Sequence, residues 1–276
     1  MQVPGSGRDE TYAWLGSFPG MREWLGARVI NNFLATNFVI ANRLFESTVR
    51  ISRNDIEDDR LGTFGSVFAN MGQLAKRHPE ELVFGLLAAG FTTNCHDRQF
   101  FFDTDHSVEI AGVPTAVSNM QAGAGTPGFL PDCSSEIRPI VWQARSSGRP
   151  DRLAGPIVWQ EPVPHTFESP ANPGDGDLFM ANACTCGVRA RVTCGFGRWQ
   201  PGFGSGATLD AINHAAARAA PMASRSDNGR IPGVTPTHLV VPPALEAAAR
   251  ALLNTEYGTG GISNPWQGTA EPIVTP

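Results

Sequence analysis

The sequence predicts an α+β protein in which a long helix supports β-structure. Three observations favour this class. An apolar helical repeat follows residue 54, and short apolar runs separated by glycine, proline and serine fill 91–206. After residue 207 the pattern changes to helix, strand and helix. The 276 residues suffice for one or two domains, and 30 glycines and 22 prolines indicate many turns between the elements.

The composition argues against several functional classes. The net charge is −5 and the basic residues are scattered, whereas sequence-specific DNA binding needs a clustered basic face. Charged residues make up 17% of the chain, below the roughly 25% that is usual, which favours a surface hidden in an assembly. Lys76 is the one lysine among 21 basic residues. Arginine is favoured at interfaces, although a GC-rich genome explains the same bias.

The N-terminus and the apolar runs carry no targeting signal. Residues 1–10 lack a basic patch followed by an apolar core, and the apolar run Leu82–Ala89 is far shorter than a bilayer span. We therefore expect a protein made and kept in a cytoplasm, where its five cysteines stay thiols.

The first third of the chain predicts an aromatic segment and a hairpin. Residues 11–34 are rich in tryptophan and phenylalanine, which suits either an interface anchor or local core. Residues 36–53 predict a β-hairpin, because Thr48–Ser52 alternates polar and apolar residues and Asn42-Arg43 suits a tip. Two isolated strands are only marginally stable in water, so this hairpin is expected to pack against another surface.

A long helix is predicted next. Asn54 can cap it, with Glu57 placed as in a capping box. Proline at His78-Pro79 predicts a break, a second helical piece over Leu82–Ala89 and a left-handed cap at Gly90. The residues of the apolar stripe of the first piece are Leu61, Phe64, Phe68, Met71 and Ala75.

The remaining elements are predicted from short runs. Between 91 and 206 we expect strands of an antiparallel sheet, followed by a small α/β unit. The expected strands of the middle region are Phe100–Phe102, Ile137–Gln143, Ile157–Gln160 and Val188–Cys194. The expected elements of the last region are a helix at Thr208–Ala220, a strand at His238–Val241, a helix at Pro243–Asn254 and a terminal strand at Pro272–Pro276.

Cysteine and histidine residues offer one candidate for chemistry. Cys184, Cys186 and Cys194 could bind zinc if His106 or His165 completed the set, which would suit a cytoplasmic zinc- or thiol-dependent hydrolase. The spacing is poor for a structural zinc site, which usually shows paired C-x2-C halves.

Two further motifs have weak chemical meaning. Asp103, Asp105 and His106 could serve acid–base or metal chemistry, but such clusters more often form hydrogen-bonded turns. Gly202–Gly206 precedes a helix like a phosphate loop, yet it has neither the Walker lysine nor a complete dinucleotide fingerprint. The sequence therefore predicts no catalytic, cofactor-binding or metal residues.

Five separated blocks of sequence resemble the major head subunit, or major capsid protein, of Mu-like tailed phages. They are TYAWLGSFPGMREWLGARVI (11–30), FESTVRISRNDIEDDRLG (45–62), FFFDTDH (100–106), GFGRWQ (195–200) and THLVVPPALEAAARALLN (237–254). The resemblance implies a Hong Kong 97-type capsid fold. Its parts would be an N-terminal arm at 1–24, an extended hairpin loop at 25–54, a peripheral domain at 55–206 with a spine helix at about 55–77, and an axial domain at 207–276.

The resemblance also implies a function. Such subunits form the hexamers and pentamers of an icosahedral virion shell around double-stranded DNA, without enzymatic activity, a cofactor or a membrane. Assembly in the host cytoplasm would involve a scaffold, a protease and a portal, with a decoration protein as a possible addition. An encapsulin-like compartment is the alternative of the same fold.

The sequence departs from the expected family pattern in the order of its domains and in its arm. The strand-rich middle precedes the compact α/β end, so we expect a rearranged order with 92–206 largely peripheral and 207–276 axial. Only ten residues precede Thr11, so we expect a shortened or processed arm. The predicted hairpin has no lysine, so we expect no covalent lysine–asparagine cross-links between subunits. Instead, Arg43, Arg50 and Arg53 are expected to pair with acids of a neighbouring subunit. The candidate acids are Asp55, Glu57, Asp58 and Asp59.

Overall fold

The computed structural model describes nine stretches of the chain. Two five-stranded sheets and one long helix form most of this structure. The predicted strand Ile157–Gln160 and most of the aromatic segment 11–34 lie outside the described residues. The described residues are 1–5, 7–12, 38–59, 62–110, 113–145, 165–168, 182–225, 231–258 and 261–275.

The first sheet is built around one long strand, β11. This strand (Ala183–Phe196) pairs antiparallel with β4 (Arg43–Ser52) over ten residues. The strands β10 (His165–Glu168) and β9 (Ile140–Arg145) also pair with it antiparallel. The strand β1 then adds parallel to β9. The strands of this sheet are β1 (Gln2–Gly5), β4 (Arg43–Ser52), β9 (Ile140–Arg145), β10 (His165–Glu168) and β11 (Ala183–Phe196).

The predicted hairpin at 36–53 is wrong. The strand β3 (Phe38–Ala41) pairs antiparallel with β2 (Asp9–Tyr12), while β4 pairs with β11, so the two arms of the predicted hairpin go to different partners. Only Asn42 separates β3 from β4. An isolated two-stranded pair is marginal, and the ten-residue ladder with β11 satisfies far more backbone groups.

A buried polar contact fixes the β2–β3 pair to the first sheet. The Tyr12 hydroxyl donates to Oε1 of Gln143 at 2.6 Å, and Nε2 of Gln143 donates to the Ile40 carbonyl at 3.3 Å. All three residues are buried. The orientation of β2–β3 is therefore set by Gln143, a residue of β9.

The spine helix α2 (Thr63–Ala88) begins later and runs longer than predicted. A short helix α1 (Arg53–Glu57) precedes it, and Glu57 accepts a hydrogen bond from Arg53 instead of forming a capping box. The carboxylate of Asp59 accepts from the backbone amides of Thr63 and Phe64, which satisfies two amides in the first turn of α2.

Helix α2 continues through Pro79, so the predicted break at His78-Pro79 is wrong. The ring of His78 meets the ring of Phe45 of β4 at 4.4 Å, and α2 also packs on β11 and β9. Tertiary packing therefore offsets the lost backbone bond. A 3₁₀ turn at Ala89–Phe91 ends the helix, and Gly90 is not in the predicted left-handed conformation.

The apolar stripe of α2 is confirmed for its described members. Phe64, Phe68 and Ala75 are half-buried and Met71 is buried, as a supporting helix on a sheet requires. Among the described residues, no helix has both the length and the apolar character to cross a membrane.

The second sheet draws its strands from three distant segments. Its order is β14-β13-β8-β12-β7. The predicted elements after 207 are confirmed, but they share this sheet with strands from 120–131 and 202–205. The strands are β7 (Met120–Gln121), β8 (Gly128–Pro131), β12 (Gly202–Ser205), β13 (His238–Val241) and β14 (Glu271–Val274). The helices of this layer are α3 (Ala211–Ala223) and α4 (Glu246–Leu253), the latter after a 3₁₀ turn at Pro243–Leu245.

The segment between the sheets is irregular where a strand was predicted. Phe100 makes an isolated β-bridge with Asn94. Phe101 and Phe102 are buried but belong to no strand. A separate hairpin of β5 (His106–Ile110) and β6 (Val113–Val117) follows.

Phe101 and Phe102 form an aromatic joint between the two sheets. Phe101 stacks on Phe196, the last residue of β11, at 4.2 Å. Phe102 stacks on Phe129 of β8 at 5.4 Å and also meets Phe91 after α2 at 5.0 Å. The two rings touch each other at 4.9 Å. One pair of adjacent residues thus connects the first sheet, the second sheet and the end of the spine helix.

Two glycines make room for Phe102. A Cβ at Gly90 would lie 2.7 Å from Phe102, and one at Gly204 would lie 2.8 Å from it. Beside this ring, the buried side-chain amide of Asn119 donates to the carbonyls of Phe101 and Gly202, and its Oδ1 accepts from the Asp103 amide. The backbone around the joint is therefore satisfied without water.

Removing one ring of the joint tests its contribution. Phe102→Ala is expected to lower the free energy of unfolding by about 3–5 kcal/mol, because a large buried ring is replaced by a cavity. Urea unfolding of the unassembled chain measures this. Phe100→Ala is the matched control, because Phe100 is 42% exposed and its truncation should cost less than about 1 kcal/mol. Equal losses in the two variants would contradict the assignment.

Candidate functional site

The three cysteines of the predicted zinc or thiol site do not converge. Cys184, Cys186 and Cys194 all lie on the extended strand β11. Eight residues at ~3.3 Å each place Cys186 and Cys194 about 26 Å apart, too far for one ion. The Cys194 thiol donates to the Leu82 carbonyl at 3.0 Å, and burial raises its pKa to about 11.

Neither predicted histidine completes that set. His165 lies on β10 opposite Ala190, and His106 is held by Asp97, away from all three cysteines. The hydrolase site that the sequence offered as an alternative is therefore not assembled.

The loop at Asp103–His106 is a hydrogen-bonded turn. Asp103 accepts from the amides of Phe100 and Thr104 at 3.2 and 2.7 Å, which is the ordinary structural use of such an aspartate. Asp105 is exposed. His106 is fully buried, and its ring stacks on Trp199 with centroids 4.1 Å apart and planes 6° apart. The predicted cluster is thus divided between the surface and the core.

The structure instead joins His106 to two residues that sequence reasoning missed. Nδ1 of His106 lies 2.6 Å from Oδ2 of Asp97, and the Cys95 thiol donates to Oδ1 of Asp97 at 3.0 Å. The Gln99 amide donates to Asp97 as well. The Cys-x-Asp spacing just before the phenylalanine run is the one local signal that could have drawn attention to this cluster.

The electrostatics of the cluster follow from its hydrogen bonds. Burial alone would raise the pKa of Asp97, but the bonds from His106 and Cys95 outweigh it and lower that pKa to about 2. Burial, together with the Asp97 carboxylate, raises the pKa of the Cys95 thiol. At neutral pH the cluster therefore holds a carboxylate and a protonated thiol.

This arrangement is not a catalytic triad. In a triad the imidazole lies between the nucleophile and the carboxylate, and it takes the proton of the nucleophile. Here Asp97 lies between Cys95 and His106, and the thiol stays protonated. The geometry does not support nucleophilic catalysis by Cys95.

The glycine-rich stretch at 202–206 is a packed strand and not a phosphate loop. Gly202 and Gly204 lie in β12 against Phe101 and Phe102. A Cβ at Gly123 would lie 2.3 Å from the Gly206 carbonyl oxygen, so two chain segments touch there through backbone alone. The adjoining cavity of about 20 Å³ has room for a single water and not for a phosphate.

The predicted arginine–acid set is partly used within the chain. Arg53 pairs with Glu57 at 2.7 Å, and Asp59 caps α2. Successive side chains of a strand point to opposite faces, and Arg43 and Arg50 of β4 have numbers of opposite parity. Their side chains therefore point to opposite faces of the sheet. The Arg43 guanidinium lies 5.3 Å from the ring of its own Phe45.

The whole chain is similar to head subunits of phages. It matches the family described as Mu-like prophage major head subunit gpT over residues 1–155 and 150–276. The major capsid protein of Escherichia phage Mu is 36% identical over 284 residues, covering 99% of this chain and 88% of that protein. The Mu-like prophage FluMu major head subunit of Haemophilus influenzae is 35% identical over 262 residues, covering 92% and 80% respectively.

This chain belongs to the family of Mu-like prophage major head subunits.

Solved phage shells confirm the predicted Hong Kong 97-type capsid fold of this head subunit. A subunit of the procapsid of bacteriophage JBD30 matches with a TM-score of 0.80 and 36% identity, covering 100% of this chain and 88% of that chain. A subunit of the bacteriophage JBD30 capsid matches with a TM-score of 0.78 and 28% identity, covering 99% and 87%. The protein is a major capsid protein of a Mu-like phage, so its functional surfaces are expected where subunits meet.

Several large apolar side chains are exposed on the described surface of the head subunit. In an isolated subunit they would remain in contact with water. They occur on both layers, including Leu44 in β4, Leu74 on α2 and Ile212 at the start of α3, which are 62%, 53% and 82% exposed. Single exposed apolar residues are common. Their distribution over several elements is nevertheless what repeated subunit contacts require.

A buried histidine of the head subunit predicts a pH dependence. His214 of α3 is 1% exposed and neither ring nitrogen has a hydrogen-bond partner. Burial, assisted by the nearby Arg218, lowers its pKa from 6.5 to about 4. Between these two values the unfolded chain binds a proton that the folded chain does not, so stability falls as the pH drops from 6.5 towards 4.

The variant His214→Leu should reduce this loss, because it removes one group that the unfolded chain protonates and the folded chain does not. Urea unfolding at several pH values between 7 and 4 measures the slope. Ile212→Ala, at an 82% exposed position of the same helix that carries no titratable group, is the control and should keep the slope of the natural chain. An unchanged slope in His214→Leu would show that this residue is not responsible.

Proposed function

We propose that this head subunit assembles into hexamers and pentamers that close an icosahedral shell around double-stranded DNA. The observation that carries the proposal is the match of the entire chain to a procapsid subunit and a capsid subunit of one phage. In such a shell each subunit makes many weak contacts, and multivalency converts them into a stable particle. No catalytic role is part of the proposal.

The two sheets suggest two structural domains. We assign the first sheet and helix α2 to the peripheral domain, which contains most of the segment 55–206. The axial domain would comprise 207–276 together with β7, β8 and β12, because these strands share its sheet. Adjacency in the sheet supports this grouping better than adjacency in the sequence.

The partners are inferred by analogy with the relatives. One JBD30 capsid was solved decorated with minor capsid protein trimers, and we propose that this shell too accepts a decoration protein. A scaffold, a protease and a portal would act during assembly in the host cytoplasm. The net charge of −5 suits a shell wall that lies beside packaged DNA without holding it, so its contacts with DNA would be non-specific.

One face of the first sheet offers a specific contact for a neighbouring subunit. Phe45 on β4 meets His78 of α2, so the even-numbered residues of β4 turn away from that helix. Their partners across the ladder include Arg189 and Arg191 of β11. We call this surface the outer ribbon face, and its residues are Leu44, Glu46, Thr48, Arg50, Arg189 and Arg191.

The outer ribbon face is basic on balance, with three arginines and one glutamate. Asp55 in α1 and Asp58 directly after it are exposed acids without a partner among the described residues, and they form a complementary patch. We propose that the outer ribbon face of one subunit lies against the Asp55–Asp58 patch of the next. Each exposed pair contributes under about 1 kcal/mol, but the contact recurs around every ring.

Charge reversal tests this contact. The double variant Arg50→Glu/Arg191→Glu should fold, as judged by circular dichroism, and should fail to form shells, because like charges would then face each other. The matched control Arg50→Lys/Arg191→Lys keeps both charges and should still assemble. Negative-stain electron microscopy with light scattering measures the outcome.

The natural chain sets the reference in the same experiment. Closed angular shells, or rings of five and six subunits, are expected from it. Shells of normal size from the glutamate variant would refute the proposed contact. Absence of shells from the natural chain, even with its own scaffold present, would refute the shell function itself. The content of the particle, DNA or enzyme cargo, separates a phage head from an encapsulin-like compartment.

A further inference from the structure

The buried cluster of Cys95, Asp97 and His106 has no role in the shell contacts described above. One potential ligand atom from each residue lies within 4.8 Å of the other two. The three atoms are a thiol sulfur, a carboxylate oxygen and an imidazole nitrogen. Together they form a compact mixed donor set in the interior of a protein whose function is structural.

The positions of two of these donors are fixed by packing. His106 is fully buried and held flat against Trp199, and Cys95 is 4% exposed. The turn that carries Cys95 is closed by backbone bonds between Cys95 and Gln99 and between Cys95 and Arg98. The side chain of Asp97 is 22% exposed, which leaves this ligand free to adjust and gives solvent access to the cluster.

A further nitrogen next to the cluster lacks a partner. Nδ1 of His96 is buried without a hydrogen bond, and His96 interacts electrostatically with both Asp97 and His106. Buried polar atoms in folded proteins are normally satisfied. Nε2 of His106, a fully buried ring of the cluster itself, also has no hydrogen-bond partner. This unsatisfied nitrogen within the donor set is the second observation that points to a ligand here.

We propose that Cys95, Asp97 and His106 form a binding site for a divalent transition-metal ion of the zinc class. A soft thiolate and an imidazole select zinc or cobalt over magnesium or calcium, which prefer oxygen ligands throughout. Three protein ligands leave a fourth position of the tetrahedron for water.

The proton balance of binding is simple. The Cys95 thiol releases its proton to solvent, and any proton on Nδ1 of His106 leaves as well, so that the lone pair of this nitrogen can coordinate. Afterwards the thiolate, the carboxylate and the ion sum to zero, which suits a buried site. The ion would then tie the turn at Cys95–Gln99 to β5, directly beside the aromatic joint.

Cobalt binding to the purified full-length chain tests the proposal. After treatment with a chelator, the chain is titrated with Co²⁺ alone and then with Zn²⁺. The natural chain should develop a thiolate-to-cobalt charge-transfer band and visible bands of a four-coordinate site, and zinc should abolish both. Cys194→Ser, which removes a half-buried thiol elsewhere in the chain, should behave like the natural chain.

The site variants should lose these bands. Cys95→Ser should lose the charge-transfer band, and His106→Gln should weaken cobalt binding by at least about 100-fold, because outer-shell changes alone typically cost 10–100-fold. Asp97→Asn keeps the shape of the cluster and should weaken binding by at least about 10-fold, which covers the case that Cys95→Ser fails to fold. No charge-transfer band in the natural chain, an unchanged band in Cys95→Ser, or unchanged binding in Asp97→Asn would overturn the proposal.

Discussion

The structure depends on the packing of two adjacent rings, Phe101 and Phe102, between two sheets. Phe101 reaches Phe196 at the end of β11, and Phe102 reaches Phe129 in β8. The strands of both sheets come from interleaved parts of the chain, so neither sheet can form from one continuous segment. The two rings join these sheets through one closely packed core.

Local patterns of sequence predicted the elements better than their partners. The apolar stripe of α2 and the helices and strand after 207 follow from periodicity within a few residues. The pairing of β4 with β11 joins residues about 140 positions apart, and no local signal contains it. For the same reason Pro79 predicted a break, although the packing of α2 on the first sheet holds the helix together.

The family could be predicted from the sequence, whereas the buried cluster could not. The separated blocks that resemble head subunits are sequence features, and the match over the whole chain confirms them. Cys95 and Asp97 reach His106 because the turn between them and the phenylalanine run includes Arg98 with a left-handed φ of 73°. That conformation is rare outside glycine, so the identity of residue 98 did not predict it.

Native-state hydrogen exchange of the unassembled chain tests the central claim most directly. If the aromatic joint makes one cooperative unit, the slowest amides of β9 and β11 and those of β8 and β13 will exchange through the same opening. They will then share one free energy and one dependence on urea. A distinctly lower opening free energy for all amides of one sheet would show that the sheets unfold separately, and would contradict the account.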